Sequence, residues 1–151
     1  MAPVAADTLL RALLKPLCKL EQIWSDPGPG LPRARVLVGE RLTPIQENGR
    51  HALKIIEAFL VPCPGPVLAR EISGLRMATK MRESDPADLT AQVRLYVADL
   101  AHYPADVVVA SCRRLRRSVT FFPTLSEIIA EIEPMMVDRR AALASWTSAA
   151  G

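Results

Sequence analysis

Aromatic residues are scarce in this chain, at 5% of 151 positions, and much of its apolar content is Ala, Leu and Val. That balance favours helices over sheets, whose strands are enriched in aromatic and β-branched residues. Cysteine is equally sparse. Cys18, Cys63 and Cys112 are an odd number without C-x-x-C spacing, which argues against a disulfide framework or a zinc site. No apolar run approaches the about eighteen residues that a membrane-spanning helix needs. The opening MAPVAADTLLRALLKP lacks a charged segment ahead of a long apolar one, so no signal peptide is read and the expected compartment is the cytoplasm.

The motifs of catalysis are missing too. There is no P-loop, no G-x-G-x-x-G, no H-E-x-x-H and no nucleophile elbow. His51 and His102 stand apart, without the Asp, Glu or Cys neighbours of a ligand cluster, and His102 suits a helix end. Glu127, Glu131 and Glu133 recur at spacings typical of a solvated helix face. No enzyme activity, cofactor or metal site is expected. A formal net charge of +3 permits contact with nucleic acid or an acidic protein without requiring either.

What is present is a globular chain, 50% hydrophobic and long enough for a real core. Its most informative stretch runs from Leu89 to Pro134. Asp85 and Pro86 supply an N-cap and a first-turn proline, and Asp88 adds favourable negative charge. Leu89, Val93, Tyr96 and Leu100 then recur at helical spacing until His102-Tyr103-Pro104 breaks the pattern. Val108, Cys112, Leu115 and Val119 line a second helix, in which Cys112 reads as a small core residue. After Phe121-Phe122-Pro123, Thr124-Leu125-Ser126-Glu127 forms a capping box, and Ile128, Ile129 and Ile132 give the third helix its apolar side. Pro134 is expected to end or kink it.

The rest of the chain follows the same logic. Asp7 to Trp24 is read as helical on the strength of Leu9, Leu10, Leu13, Leu14, Leu17 and Leu20, with Pro16 ending or kinking it midway. This helix either docks on the core or serves self-association or partner binding. Ser25 to Arg35 is a Pro/Gly-rich loop, and Val36-Leu37-Val38 is extended but too short to anchor a sheet. Thr43-Pro44-Ile45-Gln46 reads as a capping box opening a helix over 44–60. A further helix is expected over Val67–Arg82, weakened by Gly74, and a last one over Met135–Ala149, with Trp146 folding back.

The expected architecture is therefore an all-α, compact bundle of about five to seven short helices with no substantial sheet. Its organisation divides into a Leu-rich region (1–24), a linker (25–41) and a helical domain (42–151). One surface stands out. At about 100° per residue, Arg113, Arg114, Arg116 and Arg117 fan across the side of their helix opposite its apolar face. Such a fan is a solvated face, a site for an acidic protein, or a phosphate-contacting surface with salt-dependent, sequence-tolerant binding. No Asn or Gln accompanies the arginines for bidentate adenine contacts.

The order of a helix, a Tyr junction, a second helix and Phe-Pro-Thr leading into a third resembles the folded domain of phage replicative-helicase loader/inhibitor proteins. Tyr103, Leu115, Phe122, Pro123, Thr124 and Ile128 carry the resemblance, which spans residues 89–134. It implies a noncatalytic phage- or prophage-type replication accessory protein that binds a replicative helicase or initiator and controls its loading. Partner contacts would centre on Phe121, Phe122, Pro123 and Thr124. The alternatives are a small DNA-binding regulator using Arg113, Arg114, Arg116 and Arg117, and a structural adaptor that forms homo-oligomers through its N-terminal helix.

Overall fold

The computed structural model describes residues 3–25, 29, 35–82 and 89–150. Among these residues six α-helices account for most of the chain: α1 (Pro3–Leu14), α2 (Gly49–Ala58), α3 (Gly65–Ala78), α4 (Leu89–Leu100), α5 (Ala105–Ser118) and α6 (Leu125–Ala150). A two-stranded antiparallel sheet, β1 (Cys18–Ser25) with β2 (Val36–Pro44), lies between α1 and α2 in the chain. The fold is mostly helical but not strictly all-α.

The hairpin is the main departure from expectation. Helical spacing over Asp7–Trp24 holds only as far as Leu14, after which Lys15–Leu17 form a short 3-10 turn around Pro16. Beyond it, Cys18–Ser25 extend and pair with Val36–Pro44, so that Leu20 faces Leu42, Glu21 faces Arg41 and Trp24 faces Leu37. Leucines at 17 and 20 share a face in a helix and would point to opposite faces in a strand, so local spacing favours the helix over the extended chain. The partner strand decides between them, and local periodicity does not report it. Val36-Leu37-Val38 accordingly begin a nine-residue strand instead of a brief extended run.

The same pairing overrides the capping box read at Thr43. Thr43 and Pro44 are held opposite Lys19 and Cys18, and Ile45 remains extended at φ −87° and ψ 118°. Gln46–Asn48 make a 3-10 turn and α2 starts only at Gly49. A Cβ on Gly49 would lie 2.9 Å from the Ala150 Cβ, a close approach that reserves this position for glycine. Farther on, Asp85, Pro86 and Asp88, read as the start of α4, lie outside the described residues.

Two apolar clusters build the interior. The larger gathers Leu68, Ile72 and Leu75 of α3, Tyr96 and Leu100 of α4, Val107, Val108, Cys112 and Leu115 of α5, and Ile128, Ile132 and Met136 of α6. The smaller joins Leu10 and Leu14 of α1, Ala52 and Ile56 of α2, and Trp146 of α6. Helix α6 contributes to both because Pro134 neither ends it nor separates it from the expected last helix. Its 26 residues run without interruption, about 39 Å at 1.5 Å per residue. Pro134 is exposed, while residues on either side of it are anchored in different clusters. Trp146 is thus buried on the same helix, without folding back.

Between the clusters sits Arg139, a fully buried arginine. Its Nε donates to Asp7 Oδ1 at 2.7 Å, and its Nη1 donates to the Phe59 carbonyl at 2.9 Å. The same side chain grips both carboxylate oxygens of Asp106. Burial pushes its pKa down, but the hydrogen bonds it donates to Asp106 and Asp7 outweigh burial and hold it above the ordinary arginine value.

Candidate nucleic-acid interface

Helices α3 and α5 lie side by side and are tied together at both ends. At the start, Pro62 pairs with Pro104 in an antiparallel bridge and Cys63 N–H donates to the Tyr103 carbonyl at 2.8 Å. At the end, Lys80 pairs with Phe121 in a parallel bridge. Lys80 N–H donates to the Thr120 carbonyl and Phe122 N–H donates to the Lys80 carbonyl, each at 2.9 Å. The two helices therefore run in the same direction, and their outer sides bound a groove.

That groove encloses about 510 Å³ and is lined by Arg70, Glu71, Gly74, Arg113, Arg116 and Arg117. Arg113, Arg116 and Arg117 are three of the four arginines singled out from the sequence. Arg70 joins them from α3, an outward-facing residue in the sequence pattern whose position beside α5 only the tertiary fold reveals. Arg114 points elsewhere, its Nε 3.1 Å from Glu131 of α6.

The groove residues divide into a structural pair and a set of exposed cations. Glu71 is 3% exposed, and Arg116 reaches over Gly74 to donate from Nη2 to Glu71 Oε2 at 2.7 Å. A Cβ on Gly74 would stand 3.7 Å from the Arg116 Cζ, so the guanidinium lies against the α3 surface. Arg116 Nε is buried without a hydrogen-bond partner among the described residues. Arg70 is 3.6 Å from Glu71 but its side chain is 69% exposed. Arg113 and Arg117 are exposed. Four arginines against one carboxylate leave an excess of three positive charges around one concavity.

The aromatic motif beside the groove is split between interior and surface. Phe122 is 2% exposed and stacks on Tyr96 with ring centroids 5.3 Å apart. Tyr96 Oη donates to the Pro123 carbonyl at 3.0 Å, and Pro123 is fully buried. Thr124 closes the capping box as its spacing requires: Thr124 N–H donates to Glu127 Oε2 at 3.1 Å, and Glu127 N–H donates to Thr124 Oγ1 at 3.3 Å. Three of the four residues read as partner contacts thus have structural tasks, and Phe121 alone of them presents an aromatic ring to solvent, at 43% exposure. Arg82 lies over that ring, 5.5 Å from its centroid. The role of Arg82 and Lys80 at this place had no sequence signal, because their register opposite Phe121 depends on a long-range bridge.

Among the described residues, no group of three or more His, Cys, Asp or Glu is placed to hold a metal ion, and no helix is long and apolar enough to cross a membrane. Cys63 and Cys112 are both buried in the larger cluster, and burial pushes the Cys112 thiol up to about 12. His102 packs against Tyr103 with ring centroids 4.0 Å apart.

No protein-family model matches the chain, and no match emerges among curated proteins or solved structures.

Proposed function

We propose that this chain is a noncatalytic nucleic-acid-binding accessory protein that holds a phosphate backbone in the groove between α3 and α5. The observation that carries this reading is the groove's charge arrangement. Arg116 donates to the buried Glu71, with Arg70 3.6 Å from the same carboxylate, and the exposed Arg70, Arg113 and Arg117 keep the groove's excess positive charge toward a polyanion. Arginine forks match phosphate oxygens bidentately, and contacts to phosphate alone bind without reading sequence. The absence of Asn or Gln beside the α5 arginines agrees with backbone recognition.

The test is nucleic-acid binding by a variant combining Arg70→Ala, Arg113→Ala and Arg117→Ala. All three side chains are exposed, so the fold should survive their removal. Affinity should fall by two orders of magnitude or more at low salt. Wild-type affinity in this folded variant would overturn the reading.

A replication role through a replicative helicase or initiator is the second reading. It is favoured by the placement of Tyr103, Leu115, Phe122 and Ile128 in one shared core, as a packed loader-like domain would require. Exposed Phe121 is then the anchor for the partner. Pull-down from a nuclease-treated bacterial lysate tests it: a recovered hexameric helicase supports this role, and its loss on Phe121→Ala assigns the contact.

A further inference from the structure

We infer that the groove takes a single strand of nucleic acid in preference to a duplex, with Phe121 as a base-stacking platform at the end of the phosphate track. The inference rests on the nucleic-acid reading of the groove and specifies its ligand.

An α-helix with its side chains, about 10–12 Å across, fills a major groove about 12 Å wide, so a recognition helix must stand proud of its neighbours. Helix α5 is flanked by α3 and α6, and its Arg113, Arg116 and Arg117 open onto a concavity shared with α3. This geometry encloses a narrow strand better than it enters a duplex.

The groups follow a definite order along the track. Because α3 and α5 run in the same direction, Arg70 and Arg113 lie toward one end of the groove, and Arg116 and Arg117 follow. The chain then reaches the Lys80–Phe121 bridge. Residues opposed in a bridge project to the same side, so the exposed Lys80 and Phe121 side chains emerge together. Arg82 adds a third group at this end, with its guanidinium over the Phe121 ring. The cationic track therefore terminates at an aromatic face flanked by further cations.

The backbone itself holds Phe121 outside the core. The hydrogen bonds of Lys80 to Thr120 and Phe122 fix the chain on both sides of it, and Phe122 takes the single inward position. With the backbone already fixed, stacking orders only the ring's own side-chain torsions. In a duplex the base faces are already stacked and offer it nothing. In a single strand each base has a free π-face, and stacking on an aromatic side chain tolerates any sequence.

Fluorescence anisotropy separates this inference from the reading beneath it. The probes are a labelled oligothymidylate of about 20 nucleotides and a mixed-sequence duplex of similar length. The proteins are wild type, Phe121→Ala and Phe121→Trp. The single strand should bind at least tenfold tighter than the duplex. Phe121→Ala should weaken single-strand binding about tenfold, leave duplex binding and the melting temperature unchanged, and be rescued by Phe121→Trp. Duplex binding equal to or tighter than single-strand binding, or indifference to Phe121→Ala, overturns the single-strand inference while the nucleic-acid reading stands. Failure to bind either probe overturns both.

Discussion

Arg139 and Asp106 form a two-pronged ion pair, with Nη1 2.9 Å from Oδ1 and Nη2 2.6 Å from Oδ2. The fork joins the second half of α6 to the first turn of α5, where a carboxylate also complements the helix dipole. With Asp7 on α1 and the Phe59 carbonyl just after α2, one side chain gathers four elements at the seam between the two apolar clusters. Arg139→Ala should strand two partly buried carboxylates and cost on the order of 3 kcal/mol. Urea denaturation followed by circular dichroism measures it, and a cost below about 1 kcal/mol would show the pair to be dispensable.

The adjacent phenylalanines should behave oppositely. Phe122→Ala removes a ring packed on Tyr96 inside the core and should destabilise by about 3–5 kcal/mol. Phe121→Ala, at a position 43% exposed, should change stability by no more than about 0.5 kcal/mol. Tyr96→Phe deletes the hydrogen bond to the Pro123 carbonyl and should cost about 1 kcal/mol. Comparing the three denaturation midpoints distinguishes a core staple from a surface anchor.

Gly74→Ala should stabilise α3 by roughly 0.5–1 kcal/mol, because the added methyl meets Arg116 at ordinary contact distance and the helix gains propensity. The thermal melting point reports the gain. A fall instead would mean that the guanidinium needs the space to reach Glu71.

Thiol labelling follows burial. Iodoacetamide at pH 8 should modify the part-exposed Cys18 first and leave Cys63 and Cys112 unmodified in the folded protein. Burial, which pushes the Cys112 thiol up to about 12, reinforces its protection. Peptide mass spectrometry after timed labelling reads the order.

Glu133 gives the fold a pH dependence of definite sign. The hydrogen bond from Arg140, with a second from Tyr103, holds its carboxyl below the usual carboxylate range. A depressed folded value contributes stability above the unfolded pKa and loses it as pH falls through the folded one. Glu133→Gln should therefore be less stable than wild type at pH 7, with the difference closing below about pH 4. Urea midpoints at the two pH values check the convergence.

The helical elements of this chain were legible wherever local signals decide the backbone. The Thr124–Glu127 capping box, the break at Tyr103-Pro104 and the apolar stripe of α5 act over a few residues and appear where their spacing places them. The hairpin was not legible because Leu20 and Trp24 take their conformation from Leu42 and Leu37, across a connection that local periodicity does not span. Pro134 misled for a related reason: tertiary contacts on both sides of it sustain a helix that local chemistry would interrupt. At the candidate site, α5 announced its arginines. Their companions Arg70, Lys80 and Arg82 come from the alignment of α3 beside α5, which the bridges at Pro62 and Lys80 impose.

The central claim, phosphate binding in the α3–α5 groove, is tested most directly by the salt dependence of single-strand affinity between 50 and 200 mM salt. An excess of about three groove charges predicts that log K falls with log salt at a slope of about −2, and that the Arg70, Arg113 and Arg117 triple alanine variant loses most of that slope. Affinity that ignores salt, or an unchanged slope in the folded triple variant, would contradict the account.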